Sequence, residues 1–196
     1  MTERGKPPGV AVRRATPADA PAVAALHADS WRRHYRGAYP DDFLDGPVVE
    51  DRLAVWGERL ADTRAPTVTL VAEDPATHPI EMVGFVHVVL DADAEHGALV
   101  DNLHVRHDRK GGGLGTTLLA RAAGAVLEKR PGSGLFLWVL EKNVAAQAFY
   151  RSRGGVVVGS RMTTPPGGGA TLVALRCTWS DPRPLAEASG PLAESP

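Results

Sequence analysis

A glycine-rich segment, RKGGGLGTT at residues 109–117, has the composition of a phosphate-binding turn. It follows an apolar stretch that predicts a strand and precedes a leucine pattern that predicts a helix. Glycines let a chain turn tightly, and the amides that open a helix carry about half a positive charge. The segment therefore predicts a site where backbone N–H groups bind a phosphate.

Three phosphate-binding patterns compete for this segment. A P-loop needs a lysine directly after its last glycine, whereas Gly115 is followed by threonine. The dinucleotide pattern Gly-x-Gly-x-x-Gly fails because its third glycine would fall on Thr116 or Leu118. The remaining pattern, Arg/Gln-x-x-Gly-x-Gly/Ala, is matched by Lys110, Gly113 and Gly115. This comparison disfavours a nucleotide-binding protein.

The elements that position the turn alternate along the chain. Period-two and continuous apolar runs predict strands at 10–15, 67–74, 80–91, 98–106, 135–140, 156–161 and 170–179. Three-to-four spacing predicts helices from Thr16 to near Gly37, at 47–62, from Leu114 onwards and at 144–153. The order β-α-α-β-β-β-α-β-α-β-β predicts an α/β domain with no internal repeat.

Length and composition restrict the class of protein. The 196 residues fit one domain, predicted at 10–180 between a flexible leader at 1–9 and a disordered Pro-rich tail at 181–196. A net charge of −1 argues against a general nucleic-acid binder. No apolar run reaches the roughly 18–20 residues that cross a bilayer, and the start lacks a signal peptide. We therefore expect a cytoplasmic protein with no membrane or nucleic-acid partner.

Two segments together resemble the GNAT superfamily of acyl-CoA-dependent N-acyltransferases. ALVDNLHVRHDRKGGGLGTTLL looks like its pyrophosphate-binding motif, and LFLWVLEKNVAAQAFYRSRG looks like its second signature. The resemblance covers about residues 10–178, and both signatures lie in family order. Two positions depart from the pattern: Lys110 stands where Arg or Gln is commoner, and Gly155 stands where an aromatic residue is usual.

The resemblance implies a mixed, mostly antiparallel sheet that splays apart at the cofactor site, with acetyl-CoA as co-substrate and no metal. The backbone at 103–105 would pair with the pantetheine amides, and an N–H near Val105 would polarise the acyl carbonyl. The cationic side chains of Arg106, Arg109 and Lys110 would meet the phosphates. The implied cofactor-binding residues are Leu103, His104, Val105, Arg109, Lys110, Gly111, Gly112, Gly113, Leu114, Gly115, Thr116, Asn143 and Phe149.

Acetyl transfer requires a proton donor for the departing thiolate and a neutral amine. The phenol of Tyr150, at the family's Phe-Tyr position, has a pKa near that of the thiol and is assigned as general acid. Asp101 is the first candidate base, because Leu99 stands where many family members have a carboxylate. Glu141 is the second candidate, and an amine already neutral in solution is a third route.

Trp31 and Tyr35 on the first predicted helix, followed by Gly37 and a Pro-acidic segment, resemble the acceptor-facing helix and loop of many bacterial GNAT members. Trp31, Tyr35 and Tyr39 would offer ring faces to a cationic amine, and Asp41 and Asp42 would attract it. Core packing of the same aromatic residues is the alternative. The predicted substrate is therefore a small amine such as an amino acid, a polyamine or an aminated antibiotic.

The leading hypothesis is an acetyl-CoA-dependent N-acetyltransferase that works through a ternary complex. Acetylation of a protein N-terminus or lysine stays open, as does a non-catalytic acyl-CoA-binding regulatory module. The resemblance also implies a homodimer. His104 and His107 do not predict a metal site, because residues three apart on a strand face opposite sides. Cys177 in a terminal strand predicts a buried apolar side chain rather than a nucleophile.

Overall fold

The alternating apolar segments form seven strands of one sheet, in the order β1-β2-β3-β4-β5-β7-β6. The structure is a computed structural model that describes residues 9–188. The strands are β1 (Ala11–Arg14), β2 (Thr67–Asp74), β3 (Glu81–Asp93), β4 (Gly97–Val105), β5 (Leu135–Leu140), β6 (Val156–Thr163) and β7 (Leu172–Trp179). The helices are α1 (Ala20–His34), α2 (Asp41–Asp45), α3 (Val48–Ala61), α4 (Leu114–Lys129), α5 (Val144–Arg151) and α6 (Arg183–Glu187).

Antiparallel pairing dominates the sheet, and among the described residues only β4 and β5 pair in parallel. This confirms the predicted mixed, mostly antiparallel α/β fold. Strands β2 and β5 have the bounds that their apolar patterns predict. The other predicted strands differ from the observed ones by a few residues at their ends.

Hydrogen bonds between Thr16 and Asp19 cap the segment that leads into α1. Asp19 Oδ2 accepts a hydrogen bond of 2.7 Å from the Thr16 amide and one of 3.0 Å from the Thr16 hydroxyl. Pro17 opens a single 3₁₀ turn before the α-helix begins. The helix ends at His34, short of the predicted end at Gly37, whose φ of 75° does not suit a helix.

Two short helices depart from the expected organisation. Helix α2 lies in a segment that was expected to be a loop, and α6 lies inside the expected tail. The prediction of a disordered tail is wrong for residues 181–188, because Leu185 is buried against the α4 side of the core. Residues 1–8 of the expected leader and 189–196 of the expected tail lie outside the described residues.

The core has a layer on each face of the sheet. One layer joins α4 and α6 to the sheet and includes Leu118 and Leu119, both fully buried. The other joins α1 and α3 to β2 and β3 through Trp56 and Phe85, which are also fully buried. Helices α1 and α4 each also contact β4, so both lie beside the strand at which the sheet separates.

Candidate active site

A gap opens in the centre of the sheet between β4 and β5. The two strands pair at Ala98–Leu135 and Leu99–Phe136, and no further pair between them is formed in the described chain. Their remaining residues diverge and leave backbone groups on facing edges without ladder partners. The gap is the splay that the family resemblance implies.

Two cavities meet at this gap. The larger, about 640 Å³, lies beside the turn before α4, and we call it the glycine-turn cavity. The smaller, about 300 Å³, contains Trp31, Tyr35 and Tyr39, and we call it the aromatic cavity. Six residues line both cavities: Tyr35, Leu103, His104, Trp138, Leu140 and Tyr150. A molecule in one cavity can therefore reach a molecule in the other.

The glycine-turn cavity collects most of the predicted cofactor residues. All of them line it except Gly112, which is exposed, and Leu114, which is buried in the core. Gly111 and Gly113 have φ values of 79° and 85°, in the left-handed region that favours glycine. Gly113 is also the residue that precedes α4, so the amides that follow it point from the start of a 16-residue helix. Free amides at the start of a helix favour an anion, because the helix dipole is positive at that end.

The cationic side chains near the turn are distributed differently from the prediction. Arg106 donates hydrogen bonds to Glu81 and Asp108, and it does not line the glycine-turn cavity. Arg109 lines the cavity but is paired with Asp74. Lys110 lines it as well, with its Nζ 2.5 Å from His34 Nε2. Ion pairs between distant segments therefore occupy two of the three predicted cations.

Arg153 is a cation at this cavity that the sequence analysis missed. Its Nε donates a hydrogen bond of 2.8 Å to the hydroxyl of Thr116, and its guanidinium lies 3.9 Å from the ring centre of Phe149. The residue follows α5 and lines the cavity. Its position one helical turn after Phe149 is a signal that could have identified it.

The edge of β4 supplies backbone groups to the gap. The Arg106 amide donates a hydrogen bond of 2.9 Å to the Val83 carbonyl of β3. Alternate residues of an antiparallel strand direct their N–H groups to opposite edges, so Val105 and Leu103 direct theirs toward the gap. His104 turns its amide toward β3 instead, and it lines both cavities with its side chain.

Tyr150 on α5 stands where the two cavities join. Its ring packs edge-on against Phe149 and Trp179 at centroid distances of 5.2 and 6.2 Å. Burial, together with the neighbouring Tyr35 and Cys177, raises the pKa of the Tyr150 phenol. No group in residues 9–188 forms a hydrogen bond with its hydroxyl. The phenol is therefore a protonated donor that faces the gap.

A helix cap and a close contact with α4 fix the position of α5, the helix that carries Tyr150. Asn143 Oδ1 accepts a hydrogen bond of 3.1 Å from the Ala146 amide and so caps the start of α5. Gly115 lets α4 approach α5 closely, because a Cβ there would lie 3.3 Å from Phe149 Cζ.

The unusual Gly155 is explained by packing from β7. A Cβ at Gly155 would lie 2.5 Å from Cys177 Sγ and 2.8 Å from Trp179 Cζ2. Trp179 Nε1 also donates a hydrogen bond of 2.8 Å to the Arg153 carbonyl. The indole therefore fills the space beside Tyr150, and the sequence position after Gly154 needs no aromatic residue.

Asp101 lies in the aromatic cavity as the extra residue of a β-bulge. His87 pairs with Asn102 and Val88 pairs with Val100, so Asp101 has no partner on β3. Its Oδ2 accepts hydrogen bonds from Arg59 Nη1 at 2.8 Å and from Asn102 Nδ2 at 2.7 Å. Glu141, the second candidate base, is exposed and lines neither cavity.

The predicted aromatic residues are brought together on the acceptor side. Tyr35 stacks on Tyr39 at 4.6 Å, and Trp31 packs edge-on against Tyr39 at 5.1 Å. The guanidinium of Arg52 already covers the Trp31 ring at 4.3 Å. Asp41 is exposed, pairs with Arg36 and lines neither cavity. Asp42 is likewise exposed and lines neither cavity.

A half-buried histidine lines both cavities. Ser30 Oγ is 2.8 Å from His104 Nδ1, and the His104 ring is 4.6 Å from that of His27. Burial lowers the pKa of His104 to about 3, so its imidazole is neutral at physiological pH. Ser30 and His34 lie on the apolar stripe of the first helix, and this periodicity is the signal that could have placed them at the site.

Three further observations concern the single cysteine, metal binding and membrane spans in the described residues. Burial raises the pKa of Cys177 to about 11, and the side chain packs in the core as predicted. No three His, Cys, Asp or Glu side chains within 9–188 cluster as a metal ion would require. None of the helices in this range is long and apolar enough to cross a membrane.

Comparisons with known proteins agree with this geometry. The model of the acetyltransferase (GNAT) family matches residues 28–155, which contain the turn and Tyr150. The probable N-acetyltransferase Rv2775 of Mycobacterium tuberculosis is 28% identical over 167 residues, covering 85% of this chain and 91% of that protein.

Two solved structures share the fold. Ribosomal-protein-alanine N-acetyltransferase from Brucella melitensis has a TM-score of 0.64 and 26% identity, with 86% of this chain and 98% of that chain covered. YncA from Salmonella typhimurium, solved with its cofactor acetyl-CoA, has a TM-score of 0.61 and 20% identity, with coverage of 93% and 98%.

Proposed function

Because the chain belongs to the GNAT acetyltransferase family, and is thus an acyltransferase, we propose that it transfers an acetyl group from acetyl-CoA to the primary amine of a small molecule. The observation that carries the proposal is the position of Tyr150, which lines both cavities at the gap between β4 and β5. Direct attack in a ternary complex needs such a junction, because both substrates must meet there.

The glycine-turn cavity fits acetyl-CoA by its chemistry. The amides that open α4 would bind the diphosphate, and Lys110 and Arg153 would add positive charge beside it. The N–H groups of Leu103 and Val105 face the gap and would bind the pantetheine arm and the acyl carbonyl as an added strand does. Bound there, acetyl-CoA supplies the activated thioester.

The residues at the junction would handle two protons. Asp101 would take a proton from the amine, directly or through a water, so that nitrogen can attack the carbonyl carbon. The new C–N bond forms first and gives a tetrahedral intermediate. When this intermediate collapses, the C–S bond breaks and the second proton of the nitrogen passes to solvent. An amide N–H near Val105 would stabilise the negative charge on the carbonyl oxygen, and Tyr150 would give its proton to the departing thiolate.

A panel assay tests the proposal. The purified chain is incubated with acetyl-CoA and each of a set of small amines, and the product is identified by mass. We expect free thiol to form in proportion to an N-acetylated product. Tight CoA binding with no product from any amine would instead favour a non-catalytic acyl-CoA-binding module, and ATP competing with CoA would favour a nucleotide-binding protein.

A protein acceptor is the second candidate for this site. The structurally similar protein from Brucella melitensis is a ribosomal-protein-alanine N-acetyltransferase. The same panel therefore includes peptides with a free N-terminal alanine and peptides with an internal lysine. Faster transfer to either peptide than to every small amine would replace the small-molecule proposal.

A further inference from the structure

The aromatic cavity has an excess of positive charge. Arg52, Arg59 and Arg161 line it, and Asp101 is the one carboxylate among its described lining residues. Asp101 is already paired with Arg59 at 2.8 Å. His104 adds no positive charge, because burial keeps its imidazole neutral. The cavity is therefore poorly suited to a polycation such as a polyamine.

Of the three arginines that line the aromatic cavity, Arg161 is the one whose positive charge is not paired with a carboxylate in the described residues. Its guanidinium lies 4.1 Å from the ring centre of Trp138, and no carboxylate within residues 9–188 forms an ion pair with it. Arg176 lies over the same ring at 4.7 Å. Partial burial, and to a smaller extent the charge of Arg176, lower the pKa of Arg161.

The positive charge of the neighbouring Arg176 is itself only weakly paired. Its pairing with Asp93 is long, at 3.9 Å, and its Nε is buried without a hydrogen-bond partner in the described structure. The register explains the clustering, since Trp138 pairs directly with Arg176 and Arg161 pairs with Ala174 two positions along β7. Side chains two residues apart on a strand share a face, so both guanidiniums meet the Trp138 ring.

Arg52 approaches the cavity from the helical side. It lies over Trp31, its side chain is 11% exposed, and its Nε donates a hydrogen bond of 2.8 Å to Asp51. Its Nη2 contacts the same Asp51 oxygen, so stacking and this ion pair fix the orientation of the guanidinium. The Nη1 group has no hydrogen-bond partner within residues 9–188 and can donate to an oxyanion such as a carboxylate or a phosphate.

We propose, building on the acetyltransferase function above, that the acceptor is a small primary amine that also carries a carboxylate or phosphate group, and that Arg161 binds this group with help from Arg52. A cavity of about 300 Å³ suits a molecule of amino-acid size.

Matched amine pairs test the proposal. Each pair consists of an acidic amine and the amine that lacks the acidic group: phenylalanine with phenethylamine, lysine with cadaverine, and O-phosphoethanolamine with ethanolamine. We expect kcat/KM to favour the acidic member by about 10- to 100-fold, the range of a charge-assisted hydrogen bond. The amino acid and phosphate pairs distinguish a carboxylate from a phosphate acceptor.

Substitutions of Arg161 test whether this residue causes the preference for acidic amines. Arg161→Gln is expected to raise KM for the acidic amine about 10-fold or more, with kcat/KM for the partner amine and KM for acetyl-CoA unchanged. Arg161→Lys is expected to recover part of the preference, since lysine keeps the charge without the fork. Arg121→Gln, at an exposed arginine of α4, is the matched control and should change neither member of a pair.

The outcomes separate this inference from the proposed function. Equal or faster acetylation of the amines without an acidic group, or of spermidine, would overturn the inference and leave the acetyltransferase function intact. An equal effect of Arg161→Gln on both members of a pair would also overturn it. Transfer to no amine at all would overturn both. The comparison of amine pairs on the wild-type chain decides the question even if the Arg161 variants do not fold.

Discussion

Arg59 Nη1 donates a hydrogen bond of 2.8 Å to Asp101 Oδ2 across the aromatic cavity. The bulge in β4 places Asp101 there, and α3 brings Arg59 to meet it. Asn102 binds the same oxygen, and neither hydrogen bond uses Oδ1. The pair therefore fixes the carboxylate and leaves its second oxygen to accept a proton from an amine.

Replacing Asp101 tests its role as a base. Asp101→Asn keeps the size and can still accept a hydrogen bond from Arg59, but it cannot take the proton. We expect kcat/KM for the amine to fall about 100-fold at pH 7. The deficit should shrink as the pH rises toward the pKa of the amine, because neutral amine then comes from solution. A pH–rate profile of wild type and variant gives the measurement.

Glu141→Gln is the matched control for this experiment. Glu141 is exposed and lines neither cavity, so its amide variant should keep wild-type rates at every pH. An Asp101→Asn chain with wild-type rates throughout would contradict the assignment of Asp101 and favour an amine deprotonated in solution.

Tyr150→Phe tests the proton donor. Removing one oxygen from a ring held by Phe149 and Trp179 leaves the packing in place. The departing thiolate then lacks its donor, and kcat is expected to fall about 100-fold or more. Calorimetric affinity for CoA should stay unchanged, because the backbone amides before α4 supply most of the binding. Unchanged turnover in Tyr150→Phe would exclude the phenol as general acid.

Two buried histidines, His27 and His87, and the half-buried His104 make stability depend on pH. Burial lowers the pKa of His27, lowers that of His87 to about 4 and lowers that of His104 to about 3. The unfolded chain, with pKa values near 6.5, binds more protons below that pH. The stabilisation that these neutral histidines contribute is therefore fully present above about pH 6.5. It is lost progressively as the pH falls toward their pKa values in the folded chain.

A single substitution reports on this effect. His104→Gln should make the loss of unfolding free energy below pH 6.5 shallower, by up to about 1.4 kcal/mol per pH unit. His78→Gln, at an exposed histidine, serves as the control and should follow the wild type. Denaturant melts from pH 7.5 to 4.5 measure both. Identical slopes in wild type and His104→Gln would show that His104 is not buried in its neutral form.

The α6 segment is expected to contribute to stability. Leu185 is 3% exposed and packs into the core beside α4. Leu185→Ala should lower the free energy of unfolding by about 2 kcal/mol, the lower end of the range for buried leucines. The exposed Glu187→Ala is the control, with an expected change within about 0.5 kcal/mol. If Leu185→Ala were as stable as wild type, α6 would not be docked on the core.

Much of the fold is predictable from local patterns. Strands β2 and β5 have the predicted bounds because their apolar runs are long enough to show a period. Helices α2 and α6 contain five residues each, which is less than two turns, so no periodicity could identify them. The buried Leu185 is one apolar residue in a segment of otherwise low hydrophobicity.

The candidate site shows the same difference between residues of local motifs and residues brought together by tertiary contacts. The glycine turn, Asn143 and Tyr150 belong to continuous motifs and were predicted. The arginines of the aromatic cavity come from α3 and β6, which are far apart in the chain, and only the register of the sheet brings Arg161 to Trp138. Ion pairs such as Arg109–Asp74 depend on tertiary contact, so sequence spacing could not show which cations were available.

The central claim is that the amides between Lys110 and Thr116 bind the diphosphate of acetyl-CoA. Gly113→Ala tests it at one backbone position, because a φ of 85° costs alanine about 1–2 kcal/mol and displaces the amides at the start of α4. Gly124→Ala, in the interior of the same helix with open space at its Cβ, is the control and should raise stability by about 0.5–1 kcal/mol.

Titration calorimetry with acetyl-CoA on the three chains is the most direct measurement. We expect saturable heat for wild type and Gly124→Ala with the same dissociation constant, and at least about 10-fold weaker binding for Gly113→Ala. Absence of heat with the folded wild-type chain, or equal affinity in all three chains, would contradict this expectation.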